Sequence, residues 1–303
     1  MTPSAQGHLA MLAFSALVAG SFSLGALAAP LISPAALTVA RFALAGAAVG
    51  LVAALGPGLP RQAFRAPWRH LVLGALLAAY FVLMFKGLQT AKAIPTAAVF
   101  TLTPIMAAGF GWVILRQRTS ARMALALALG ALGALWVVFR GDIGAALALD
   151  IGRGEVIYFA GCIAHAIYAP MVRKLNRGES ALSFTFGTMM AGLVLLAAWG
   201  GRDVLATDWA ALPAIVWICL VYVALAASAM TFVLLQFAAL RLPAAKVMAY
   251  TYLVPAWVIL WELALGHDHP PLNVLGGIGL VLVALGLLLK TEAPKAEAPK
   301  TPA

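Results

Sequence analysis

The sequence predicts an all-α integral membrane protein of ten transmembrane helices, arranged as two inverted five-helix repeats. Three observations carry that expectation. The chain is 64% hydrophobic and 10% charged, with a mean hydropathy of +1.00, which leaves too little polar surface for a soluble protein of this size. Its apolar residues fall into ten continuous runs, each near the ~20 residues that cross a bilayer core and none alternating like a barrel strand. The second half of the chain then repeats the punctuation of the first.

The runs cover 8–28, 33–55, 69–89, 93–115, 120–139, 154–174, 180–199, 210–239, 243–266 and 271–290. The first ends in "LGALAAP" (24–30), the pattern of a signal-peptidase site, yet no Lys or Arg precedes its apolar core. A secretory signal needs that positive region, so the run reads as a retained helix. The second run carries Arg41 about eight residues from its start, and the third carries Tyr80, Phe81 and Met84 at its middle. The fourth and ninth are the unusual ones. Each opens at a proline, Pro95 or Pro243, where a missing N–H costs little. Each then meets a second, Pro104 or Pro255, ~13 Å and ~18 Å deeper at the helical rise. A proline there removes the bond to the carbonyl four residues earlier, which frees the carbonyls of Phe100 and Thr251 near the midplane.

The fifth and tenth runs have stripes of small residues instead: Gly130, Gly133 and Ala134 in one, Gly276, Gly277, Gly279 and Gly286 in the other. Small residues let membrane helices approach closely, so these runs read as scaffold and as a candidate dimer face. The sixth run places His165 and Tyr168 at mid-depth, and the eighth holds Trp217 and, one turn inside Arg241, Gln236. Cys162 and Cys219 fall inside spans and read as packing residues. Trp68, Trp112, Trp199, Trp209 and Trp261 lie towards span ends, as interfacial anchors do, and Lys86 and Lys246 are placed to snorkel. The Pro/Ala/Lys/Glu tail, 291–303, has the composition of a disordered cytoplasmic segment.

A formal charge of +10 invites a nucleic-acid reading, but the placement of the basic residues excludes it. They alternate loop by loop: Arg61, Arg65, Arg69, Arg116, Arg118, Arg122, Arg173, Lys174, Arg177, Arg241, Lys246, Lys290, Lys295 and Lys300 fall on one side, against Lys86, Lys92, Arg140, Arg153 and Arg202 on the other. By the positive-inside rule the richer side is cytoplasmic and holds both termini. The acidic residues Asp142, Asp150, Glu155, Asp203, Asp208 and Asp268 fall mostly on the opposite side.

"TPIMAAGFGWVILRQRTSARMALALALGALGAL" (103–135) and "VPAWVILWELALGHDHPPLNVLGGIGLVLVALG" (254–286) share one order: proline, apolar span, short polar turn, glycine-rich span. Repeats of five helices, an odd number, enter the membrane in opposite orientations. With "PAALTVARFALAGAAVG" (34–50), "IYAPMVRKL" (167–175) and "LRLPAAKVMAYTYLVPAWVILWELALG" (240–266), the chain resembles the drug/metabolite transporter superfamily, specifically its EamA-like family of two five-helix repeats. The resemblance sets the repeats at 1–145 and 146–290 and is strongest to bacterial exporters of amino acids, aromatic ones included. It implies a multi-pass protein of the bacterial inner membrane, monomer or homodimer, acting on a small-molecule substrate. One departure stands out: members often carry a glutamate in the turn after each proline helix, where this chain has Gln117 and His267.

The candidate substrate residues cluster around the two inner prolines: Phe100, Thr101, Thr103 and Pro104 on the fourth helix, and Tyr250, Thr251, Tyr252 and Pro255 on the ninth. Tyr80, Phe81, Met84, His165 and Tyr168 join them, since aromatic faces enclose an apolar side chain while hydroxyls orient its polar end. An intramembrane histidine is a candidate proton relay or substrate donor. Arg41 is placed to meet a substrate carboxylate, or to form with Glu262 a charge pair closing the vestibule, with Gln236 at an inner gate. No P-loop, metal-ligand spacing, nucleophile elbow or redox Cys pair appears, so neither cofactor nor catalysis is expected. The sequence thus points to secondary export of amino acids by alternating access. Efflux of drugs or other metabolites by proton antiport is the alternative within transport, and an intramembrane enzyme the alternative outside it.

Overall fold

The computed structural model describes residues 2–56, 58–148, 151–267 and 271–290. The tail 291–303, Asp150 and Asp268 lie outside the described residues. Ten helices are long and apolar enough to cross a membrane. We number them α1 (Pro3–Ala28), α2 (Pro34–Leu55), α3 (Pro67–Leu88), α4 (Ala93–Leu115), α5 (Ala121–Val138), α6 (Arg153–Leu175), α7 (Ala181–Ala206), α8 (Ala214–Ala239), α9 (Ala244–Ala264) and α10 (Leu272–Lys290).

Their boundaries follow local chemistry. Thr2, Ser33, Ser120 and Ser180 accept backbone N–H bonds at the starts of α1, α2, α5 and α7. Proline sits in the first turn of α1, α2 and α3, where its absent donor costs nothing. α1 is an integral wall of the bundle, with Phe14 and Phe22 buried, and it packs on α8 and α9.

The packing shows the repeat directly. α1 lies on α8 and α9; correspondingly, α6 lies on α3 and α4. α3 contacts α7 as α8 contacts α2, and the pairs α2·α7, α4·α9 and α5·α10 map onto themselves. Shifting every helix by five positions reproduces the arrangement. With five crossings per half, the halves are inverted.

α5 and α10 approach through glycine. A Cβ on Gly133 would lie 2.7 Å from the Gly277 carbonyl, and one on Gly277 would lie 2.7 Å from the Gly133 carbonyl. Gly130 receives the Tyr252 ring, with a hypothetical Cβ only 2.2 Å from its hydroxyl. The facing glycines are therefore used within the chain. Of the candidate dimer face, Gly279 and Gly286 alone look onto open space. Large apolar side chains such as Leu51, Val113, Leu132 and Val194 point outward, as expected against lipid.

Candidate functional site

α4 and α9 are both broken. α4 is helical over Ala93–Phe100, turns at Thr101 and Leu102, and restarts at Thr103. α9 is helical over Ala244–Ala249, tightens to a 3₁₀ turn over Tyr250–Leu253, and restarts at Val254. The halves pair antiparallel: the second half of α4 lies on the first half of α9, and the reverse. At the crossing, the hydroxyls of Thr103 and Thr251 are 3.2 Å apart.

This geometry corrects the expectation of free carbonyls. The Phe100 carbonyl accepts from the Thr103 hydroxyl at 2.7 Å, and the Thr251 carbonyl accepts from the Val254 N–H. Thr101 likewise donates to the Ala98 carbonyl at 2.6 Å. Because each helix restarts one residue before its proline, Pro104 and Pro255 stand in the first turn of a new segment, where no donor is missed. The acceptors left by the breaks are satisfied locally.

The aromatic residues do come together. The Tyr80 ring lies 4.4 Å from the His165 ring and 5.8 Å from Phe100, and Phe100 lies 5.2 Å from His165. His165 stacks with Tyr168 at 6.4 Å, and the Tyr168 hydroxyl accepts from Gln236 Nε2 at 3.0 Å. Tyr80 packs on Phe81, which stacks on Phe232 at 5.5 Å, and Met84 is buried one turn further along α3. Sequence reasoning missed Phe22, Tyr158, Phe42 and Phe232. Tyr158 bonds the Tyr80 hydroxyl at 2.9 Å, while Phe22 packs edge-on to it. Tyr158 could have been found, because it precedes His165 by seven residues and so shares its helix face.

Three expected members lie elsewhere. Tyr252 turns towards α5 and reaches the Leu127 carbonyl, because Gly130 opens a slot for its ring. Tyr250 bonds His8 Nδ1 at 3.1 Å, closer to the basic end. Trp217 is 42% exposed on the surface beside Trp209, since its position on α8 faces outward. Lys246 is buried instead of snorkelling.

Arg41 is fully buried, and it does not pair with Glu262. Its Nε donates to the Ser228 hydroxyl and one terminal nitrogen donates to the Ala227 carbonyl at 2.7 Å. The guanidinium lies 3.6 Å over the Phe81 ring. The other terminal nitrogen has no partner among the described residues, and no described carboxylate is within ion-pair distance. Both acceptors lie where α8 widens to a π-helical turn over Leu225–Met230. Glu262 instead accepts from His267 at 2.8 Å, five residues along its own chain segment.

The basic end is tied together. Arg69, buried in the first turn of α3, bonds Glu179 at 2.6 Å and the Leu175 carbonyl at 2.7 Å. Burial alone would raise the Glu179 carboxyl, but the bond from Arg69, the amides of Arg177 and Glu179 and the Arg69 charge hold it below the ordinary carboxylate value. Gln117 accepts from the Ala244 N–H at 3.3 Å and so links the end of α4 to the start of α9.

Two inverted five-helix halves, with broken helices crossing beside a buried aromatic and cationic cluster, are the architecture of a membrane transporter built from inverted repeats. The EamA-like transporter family model matches residues 5–139 and 152–290, and the chain belongs to that family, within the drug/metabolite transporter superfamily. It is 25% identical over 286 residues to the uncharacterized transporter YyaM of Bacillus subtilis (strain 168), covering 93% of this chain and 92% of that one. A solved crystal structure shares its fold, with a TM-score of 0.72 at 19% identity, covering 94% of this chain and 95% of the other.

Proposed function

We propose that this transporter exports small zwitterionic metabolites, amino acids with aromatic or other neutral side chains first among them, from the cytoplasm across the bacterial inner membrane. Both termini and the basic turns face the cytoplasm in this reading. The observation that carries it is Arg41: a buried guanidinium with one unpaired nitrogen and no described counter-carboxylate. A buried charge without its pair is costly. A substrate carboxylate completes the pair, and the planar fork of the guanidinium suits it. The rings of Tyr80, Phe81, Phe100 and His165 then form the wall for the side chain. The Gln236 Oε1, buried without a partner, offers an acceptor for the ammonium.

The same observation disfavours efflux of lipophilic cations. Such drugs need an intramembrane carboxylate, whereas the buried charge here is positive.

The test is counterflow in proteoliposomes with labelled phenylalanine, tyrosine and leucine, alongside phenethylamine and ethidium. Saturable exchange of the amino acids is expected, with phenethylamine excluded because it lacks the carboxylate. Arg41→Gln should lower the phenylalanine rate at least about tenfold, the scale of one charge-assisted hydrogen bond. Preferential exchange of ethidium, or full activity in Arg41→Gln, defeats the reading.

A further inference from the structure

The end of the molecule opposite the basic turns holds a vestibule of about 910 Å³, lined by the start of α4, the end of α5, the start of α6 and the end of α9. Its wall carries two incompletely satisfied carboxylates. Glu155, in the first turn of α6, is 7% exposed and has no hydrogen-bond or ion-pair partner among the described residues. Glu262, near the end of α9, gives one oxygen to His267, while its Oε1 is buried without a partner. Lys92, from the start of α4, and Arg140, from the end of α5, line the same space. Among the described residues no group of three or more His, Cys, Asp and Glu is placed to hold a metal ion.

Carboxylates that line such a mouth without a lysine or arginine ion-pair partner among the described residues are open to a visiting cation. An ammonium has three donors, enough to serve the two carboxylates that line the vestibule. The basic pair in the same mouth supplies the opposite charge. A vestibule with both signs suits a molecule with both signs.

We propose that this vestibule is a second substrate subsite, in which the ammonium of a zwitterion sits between Glu155 and Glu262 while its carboxylate faces Lys92 and Arg140. It rests on the amino-acid reading above. Substrate leaving Arg41 is handed to this subsite before release, and substrate arriving from outside is captured there first.

Glu155→Gln and Glu262→Gln remove charge while keeping shape, and membrane vesicles of both orientations give KM from each face separately. With labelled phenylalanine, Glu155→Gln should raise KM at the vestibule face about tenfold, as loss of one charged hydrogen bond implies. KM at the basic face should move much less. Phenethylamine, an ammonium without a carboxylate, should inhibit from the vestibule face in the wild type and lose that inhibition in both variants. 3-Phenylpropionate should not inhibit more strongly than phenethylamine there. Equal KM shifts from both faces would mark a structural role and overturn the proposal, as would no shift in either variant. If the wild type moves no phenylalanine, the amino-acid reading fails and this inference goes with it. Transport with insensitive variants removes the subsite alone.

Discussion

Arg41 and Arg69 are both buried guanidiniums, and their partners separate their roles. Arg69 has a carboxylate at 2.6 Å; Arg41 has a hydroxyl, a carbonyl and a ring. Removing the paired charge and removing the unpaired one should therefore act on stability in opposite ways. Glu179→Gln leaves Arg69 without its counter-charge and should cost ~1–3 kcal/mol at neutral pH, towards the lower end because the pair lies at the membrane rim. Since the folded Glu179 carboxyl titrates below its ordinary value of 4.5, the pair contributes fully above that value and is lost as pH falls through the lowered one. The melting difference between wild type and Glu179→Gln, clear at neutral pH, should narrow as pH falls below 4.5 and close once the folded carboxyl is protonated. Arg41→Met, by contrast, removes an unpaired buried charge and keeps an apolar stem on Phe81. Its melting temperature should equal or exceed that of the wild type while transport is lost. A large drop in melting temperature for Arg41→Met would mean that Arg41 is structural.

At the scale of the element, the break in α4 is held by the Thr103 hydroxyl and that in α9 by the Val254 amide, more than by the prolines. Sequence makes the breaks legible, because Pro104 and Pro255 sit deep in apolar runs at matching places. It does not reveal where the helices restart, which depends on bonds from Thr103 and Val254 that no periodicity encodes. The carbonyls of Phe100 and Thr251 are consequently occupied rather than free. This shift changes what substitution should do. A proline inside a helix costs ~3 kcal/mol relative to alanine, but one in a first turn costs little. Pro104→Ala and Pro255→Ala should each change unfolding free energy by less than about 1 kcal/mol. Thr103→Val strands the Phe100 carbonyl and the Thr251 hydroxyl, and should cost ~1–3 kcal/mol. Denaturant or thermal titration in detergent ranks the three variants. Proline variants that destabilise more than Thr103→Val would return the break to the prolines.

Over the whole molecule, ten spans and two halves are readable from hydropathy and punctuation, because lipid imposes a length on every crossing. The inverted pairing of helices then follows from the odd count. The location of the cluster was partly legible: Tyr80, Phe81, Phe100, His165 and Tyr168 meet, since mid-depth position on adjacent helices is enough to predict proximity. Tyr252 and Trp217 escaped that logic, because depth says nothing about which way a side chain points around its helix. Ser228 escaped it as well, because it lies in the widened turn of α8, which hydropathy does not announce. The electrostatics of this assembly lead to a statement about energy coupling. Proton-driven antiport needs a group that gains and loses a proton within the span as the substrate exchanges. Among the described residues, the centre holds a permanent cation in Arg41 and a His165 ring enclosed by aromatic rings, with no carboxylate beside either. Glu155 and Glu262 sit at one end of the bundle, outside the cluster. Exchange of phenylalanine across liposomes at equal internal and external pH should accordingly proceed without an imposed gradient. A protonophore should leave its initial rate within about twofold, well under the tenfold that 1.4 kcal/mol of coupling would produce. His165→Gln, which replaces the central imidazole by a neutral amide, should preserve whatever pH profile the exchange has between pH 5.5 and 8 (about the range of a histidine switch). Exchange that vanishes at equal pH and returns on acidifying one side would establish proton coupling, and would require a central acid–base group that this arrangement does not provide.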